Sequence, residues 1–227
     1  GNNGKYKYYD SDAHKYDYSA FVKASYRFAD YWNAFADLQY RRVEYKTDGI
    51  NDKFIAQADG SYKNQELNIN EKYNFFNPKA GISFNKDGHK AYASVAYSNR
   101  EPERNNFTDN FNYPFPKEEK LLDVEFGYQY QNAWVHANVN AYYSRLDNVT
   151  EWTCFYFDNI NSFSYVSSTG NTKEYYGVEA GLKFKLASYL DLKFIGTISE
   201  AKYIDDANVR YLNSTQGTYD DDILFCN

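Results

Sequence analysis

No stretch of this 227-residue chain comes near the ~18 consecutive apolar residues that a membrane-spanning helix requires. A mean hydropathy of −0.81 agrees with that exclusion, yet leaves a transmembrane barrel open, because the lumen and outer loops of a barrel are polar. Cysteine is scarce: only Cys154 and Cys226 occur, with no second Cys or His at a metal-ligand spacing from either, so no metal site is expected. Both fall in segments read as external, where an oxidising compartment permits a disulfide; sequence alone cannot bring them within bonding distance. Gly-rich phosphate loops, Gly-x-Ser-x-Gly, Cys-x-x-Cys and His-x-x-x-His are all missing. The histidines are His14, His89 and His136, and Ser144 stands too far along the strand from His136 to be its catalytic partner. No catalytic residue and no cofactor is therefore expected. A net charge of −6 without a basic stripe argues against nucleic acid as a partner.

What the chain has in abundance is alternation. Tyr18, Ala20, Val22, Ala24, Tyr26 and Phe28 interleave with Ser19, Lys23, Ser25 and Arg27, and a period of two means a β-strand with unlike faces. The pattern recurs over Trp32–Arg41, Ala91–Arg100, Leu122–Gln131, Val135–Ser144, Tyr175–Lys185 and Leu190–Ser199. These runs match the roughly 9 to 11 residues of a tilted transmembrane strand better than the five or six of a soluble sandwich.

The connections take turns between two kinds. Short ones sit at Ala29–Tyr31, Asn85–His89, Gln131–Ala133 and Ala187–Tyr189, with Asp87-Gly88 a hairpin signal. Long polar ones are expected from Lys46 to about Glu71, from Asn99 to Lys120, and from Leu146 to Lys173 with a strand pair inside the last. Short turns on one rim and long loops on the other describe an outer-membrane barrel with short periplasmic turns and long extracellular loops. The fold class is thus all-β, an antiparallel transmembrane barrel wall in contact with outer-membrane lipid, with nine to ten strands in one domain over residues 1–227.

Aromatic residues make up 20% of the chain, and 26 of them are Tyr. Tyr26, Tyr40, Tyr97, Tyr130 and Tyr143 at strand ends, with Trp32 and Trp134 beside short turns, suit the girdles at a bilayer's two interfaces. Aromatic preference for strands in general is the other reading of each.

The two ends point to a longer parent chain: Gly1-Asn2-Asn3-Gly4 carries no export signal, and Asp220–Asn227 reads as a loop rather than a closing strand. The Asp220–Asp222 run is read as solvated, and the three Asn-x-Ser/Thr tripeptides carry no weight in a bacterial outer membrane.

The segment Asn77-Pro78-Lys79-Ala80-Gly81-Ile82-Ser83-Phe84 precedes Ala93-Ser94-Val95-Ala96-Tyr97-Ser98-Asn99-Arg100-Glu101-Pro102-Glu103-Arg104 and Phe107-Thr108-Asp109. Together with Pro116–Tyr128, Asn138–Tyr143 and Tyr176–Gly181, it resembles TonB-dependent outer-membrane receptors, especially those of Bacteroidetes, over about Tyr73–Tyr203. The resemblance implies the C-terminal part of a plugged barrel of about 22 strands. It further implies a plug domain and a TonB complex engaged through parts of the parent chain not included here, and a small-molecule or glycan substrate such as an iron chelate or cobalamin. A small complete barrel with an adhesin or structural role is the alternative, and it requires the first and last strands to pair. An outer-membrane hydrolase is a third and weaker reading.

The lumenal stripe is expected to carry Arg27, Arg41, Arg100, Glu125, His136, Glu179 and Lys183, alongside Asp17, Lys23, Asp37, Asp123, Asp191 and Lys193. Cross-strand ion pairing and plug contact are preferred there to solute contact. The ligand candidates are the loop aromatics Tyr113, Phe115, Trp152, Phe155, Tyr156 and Phe157, which no bilayer or core requires, and which can equally pack loop against loop.

Overall fold

The computed structural model describes residues 7–108, 116–157, 162–213 and 218–224. Ten strands form one antiparallel sheet: β1 (Asp10–Ala29), β2 (Trp32–Ala56), β3 (Tyr62–Lys86), β4 (His89–Arg100), β5 (Glu119–Gln131), β6 (Val135–Phe157), β7 (Ser162–Ala187), β8 (Leu190–Tyr203), β9 (Ala207–Asn213) and β10 (Thr218–Leu224). A five-residue helix, α1 (Arg104–Thr108), interrupts the β4–β5 connection. Each strand bonds to its sequence neighbour, except that β7 pairs with β8 along its Lys173–Ala187 half and with β9 at Val166–Thr169. β8 and β9 therefore follow one another along the same edge of β7, joined where Ile204 N donates to Thr172 O at 3.1 Å. Among the described residues β1 bonds only to β2 and β10 only to β9, so the sheet is open and lacks the pairing of first and last strands that a small complete barrel requires.

Register explains why these residues make a membrane wall. The pleat row Tyr26–Ala34–Ile82–Ala93–Phe126–Ala141–Val178–Ile198 is apolar across eight strands. The adjoining row, Arg27–Asn33–Ser83–Tyr92–Gly127–Asn140–Glu179–Thr197, is polar or glycine throughout and points to the opposite face. Trp32 and Trp134 are exposed beside short turns, and Trp32 packs against Phe84 with centroids 5.0 Å apart, as a girdle residue would. The short turns fall where the sequence places them. At the β3–β4 turn Asp87 (φ 50°) and Gly88 (φ 82°) both take the left-handed conformation that a two-residue hairpin demands.

Two of the three long connections depart from expectation, while the one expected from Asn99 to Lys120 lies between Arg100 and Glu119. Lys46–Glu71 is not a loop: β2 runs on to Ala56 and β3 begins at Tyr62, leaving 57–61 as the connection. The strand pair expected inside Leu146–Lys173 consists of the ends of β6 and β7 themselves, and β1 starts at Asp10 rather than near Tyr16. The reason is a change of side. Below this level the apolar residues of β2 and β3 are even-numbered apart from Phe35, whereas above it the buried ones are Val43, Thr47, Gln65, Leu67, Ile69 and Phe75, all odd and all on the polar face. Residues 101–108 of the β4–β5 connection reach across that face.

Candidate functional site

The β3–β4 ladder ends at Lys79 and Ala96, while β2–β3 continues to Ala56 and Tyr62. Freed from β3, the chain after Arg100 folds as a strap across the polar face of β3, β2 and β1. Phe107 is 3% exposed and stacks on Tyr45, with centroids 5.9 Å apart and planes 26° apart. Thr108 O accepts from Gln65 Nε2 at 2.9 Å and from Lys53 Nζ at 3.3 Å. Of the buried odd-numbered residues of β2 and β3, Gln65 bonds this strap directly.

Glu101 fastens its near end. Lys15 Nζ on β1 donates to Glu101 Oε1 at 2.6 Å, and Arg41 on β2 donates from Nη1 to Oε2 at 2.7 Å and from Nη2 to Oε1 at 3.0 Å. Arg41 is in turn gripped by Asp17, with Nε to Oδ1 at 3.0 Å and Nη2 to Oδ2 at 2.6 Å. The Glu101 side chain is only 9% exposed. Burial alone pushes its carboxyl up, but Lys15, its own backbone and Arg41 outweigh that and hold it below the ordinary carboxylate value. Arg104 Nη2 donates to Ser11 Oγ at 3.2 Å and ties the strap to β1 as well.

Between strap and sheet lies a cleft of about 370 Å³ lined by Lys15, Tyr45, Tyr73, Glu101, Pro102 and Phe107, with Arg100, Glu103 and Arg104 beside them. The Tyr45 hydroxyl is buried and has no hydrogen-bond partner among the described residues. Burial also pushes the Tyr73 phenol well above its usual range.

Of the residues expected on the lumenal stripe, Arg41 is central to this network and Arg100 flanks it, bonded to Glu119 Oε2 at 2.5 Å. Arg27, Glu125 and Glu179 share the polar face lower down, and Lys183 pairs with Asp191 at 2.7 Å, as Lys23 does with Asp37 at 3.4 Å. His136 lies opposite Lys183 near the short-turn rim, and Ser144 Oγ donates instead to Asp123 Oδ1 at 2.5 Å. Tyr113 and Phe115 lie outside the described residues, as does Cys226. Trp152, Phe155, Phe157 and Cys154 are described as strand backbone only, and Tyr156 is exposed on the β6 extension. The structure thus brings together Tyr45, Tyr73 and Phe107, none of which was among the expected ligand candidates. The odd-numbered run Val43, Tyr45, Thr47, which continues past the expected strand end at Arg41 and into the expected loop at Lys46, was the signal that could have found Tyr45.

Above β6 and β7 a second cluster closes the base of the other long hairpin. Lys173 Nζ bonds Glu151, Tyr203 OH donates to Glu151 Oε2 at 2.5 Å, and the Lys173 ammonium sits 4.7 Å from the Tyr203 ring centroid. Val149, Asn171 and Thr172 are buried nearby, which makes the cluster a packed joint.

An open antiparallel sheet with one apolar and one polar face, girdled by aromatics, is the wall of a transmembrane β-barrel. A family model described as TonB dependent receptor-like, beta-barrel matches residues 1–223, and the chain belongs to that family. Among solved structures it is similar to the copper transporter OprC (TM-score 0.69, 14% identity, covering 88% of this chain and 33% of that one). It is similar also to the FrpB iron transporter from Neisseria meningitidis (0.58, 14%, 91% and 32%). The ferric-catecholate import receptor Fiu from E. coli K12 is a third (0.59, 11%, 90% and 33%). The chain spans about a third of the length of these structures. A search of curated protein sequences finds no significant match.

Proposed function

We propose that this chain forms part of the barrel of a bacterial outer-membrane receptor that imports a scarce nutrient, with a plug domain inside the barrel and energy delivered by TonB. The family match over residues 1–223 carries this reading. The metal and metal-chelate transport named for the structural neighbours makes an iron or copper complex the first substrate class to try, ahead of a cobalamin or a glycan. In this reading the polar face lines the lumen, the barrel is completed to about 22 strands by the rest of the protein, and the strap narrows the outer mouth. On the same reading the chain passes its cargo without chemistry, as the receptor family and the transporter neighbours suggest. The test is uptake by whole cells. Deleting the encoding gene, or removing TonB, should abolish accumulation of one radiolabelled metal complex under starvation for that metal. Equal accumulation of every tested metal complex, cobalamin and oligosaccharide in parent and deletion strains would refute the reading.

A further inference from the structure

We infer that Lys15 and Arg41 form an anion seat that the chain fills with its own Glu101 carboxylate, and that a ligand carrying a carboxylate on an aromatic ring competes for the seat and lifts the strap. The inference rests on the polar face being the lumen of an uptake barrel.

The seat is built without the strap. Arg41 gives Nε and Nη2 to Asp17, so its guanidinium is oriented from β1 and keeps Nη1 aimed at the Glu101 position after that residue leaves. Lys15 stands on the same face of β1, its side chain 49% exposed and accessible to an incoming anion. Together they offer two cations from adjacent strands to one pair of carboxylate oxygens.

The occupant is removable. Residues 101–103 belong to no strand or helix, and α1 is only five residues long, so lifting them breaks no sheet ladder. A carboxylate that substitutes for Glu101 preserves the two charge-assisted contacts, which avoids leaving the two cations unpaired.

The cleft beside the seat sets the rest of the ligand. With the strap lifted, the rings of Tyr45 and Tyr73 remain on the sheet side of the cleft beside the seat and suit a flat apolar body.

The experiment uses the full-length receptor in detergent, with benzoate as probe and calorimetry as readout. Glu101→Ala and Glu101→Gln should each bind benzoate at least tenfold more tightly than the parent protein, because the internal competitor is gone. Adding Arg41→Gln to either should remove that gain. Acetate should restore amide-exchange protection of residues 103–108 in Glu101→Ala and leave the Arg41→Gln double variant unprotected. Heat-modifiable gel migration confirms that each variant holds a folded barrel. Folded Glu101 variants that bind benzoate no better than the parent, or a gain that survives Arg41→Gln, would overturn the seat. Binding is read without TonB or transport. Tight benzoate binding in a protein that imports nothing would remove the transport reading and leave the seat standing, whereas import without the benzoate gain would do the opposite.

Discussion

Phe107 lies flat against Tyr45, a contact between a residue of the five-residue α1 and one in the middle of the 25-residue β2. It joins the strap to the sheet through apolar surface, where Glu101 joins it through charge. Truncating Phe107 to Ala should cost about 3 kcal/mol of docking free energy, the lower end for a buried Phe. That is more than a hundredfold in the opening equilibrium. Hydrogen exchange should show the Asn106 amide, which bonds Glu103 O at 3.0 Å, losing its protection while the ladder amides of β4 and β5 keep theirs. If the β4 and β5 amides exchange equally fast, the strap is part of the wall's cooperative unit and the two-layer description is wrong.

The charged fastening predicts a pH dependence of definite sign. Glu101 docked has a carboxyl held below its ordinary value of 4.5, so the docked state favours the deprotonated form. That stabilisation is fully present above the undocked value and is lost as pH falls through the lower, docked one. Protection of residues 103–108 should therefore be flat from neutral pH down to about 5 and then decline in acid. Glu101→Gln should lower it at neutral pH and flatten the acid decline. Protection that rises on acidification would contradict the assignment.

Much of the wall was legible because a membrane strand has one task per face. The even-numbered run from Tyr18 to Phe28 announces lipid on one side and water on the other, and the Asp87-Gly88 turn announces the hairpin that follows. The strap's seat was harder to read because two chemistries change sides within one strand. In β3, Phe76 and Ile82 are exposed on the even face, while Leu67, Ile69 and Phe75 are buried on the odd face. A reader following one stripe sees the pattern dissolve into polar residues and takes the rest for loop. The salt-bridged stripe itself was anticipated, but which cation meets which acid was not. Arg41 has Ser19 opposite it across the ladder, so the Asp17 contact is diagonal, and Glu101 arrives from a segment whose path no periodicity encodes.

Within the polar face, Tyr92 lies over Gly127, its cross-strand neighbour. A Cβ added to Gly127 would stand 2.1 Å from Tyr92 Cε1, and the Tyr92 hydroxyl donates to Asn140 Oδ1 at 2.9 Å. Gly127→Ala should expel the ring, break that bond and cost about 1–3 kcal/mol, as overpacking does. A double-mutant cycle checks the cause: in a Tyr92→Ala background the same substitution should be neutral within about 0.5 kcal/mol. Urea unfolding in lipid vesicles gives the four stabilities, and a Gly127→Ala penalty that persists without the Tyr92 ring would trace it to the backbone instead.

The assignment of faces makes the sharpest demand on Val124 and Glu125, adjacent residues of β5. Val124 sits between Val95 and Tyr143 in the apolar rows, 42% exposed to what should be hydrocarbon, while Glu125 sits between Ser94 and Tyr142 on the other side. Arginine at a lipid-facing position near the midplane costs about 2–4 kcal/mol, because the bilayer offers the guanidinium neither water nor a counter-ion. The same residue facing a hydrated lumen costs little. Val124→Arg should thus lower the stability of the full-length barrel in vesicles by about 2–4 kcal/mol, and Glu125→Arg should change it by less than about 1 kcal/mol. In detergent-free folding trials the first variant should insert poorly and the second normally. A larger penalty at Glu125 than at Val124 would invert the two faces, and with them the lumenal placement of Arg41, Glu101 and the strap.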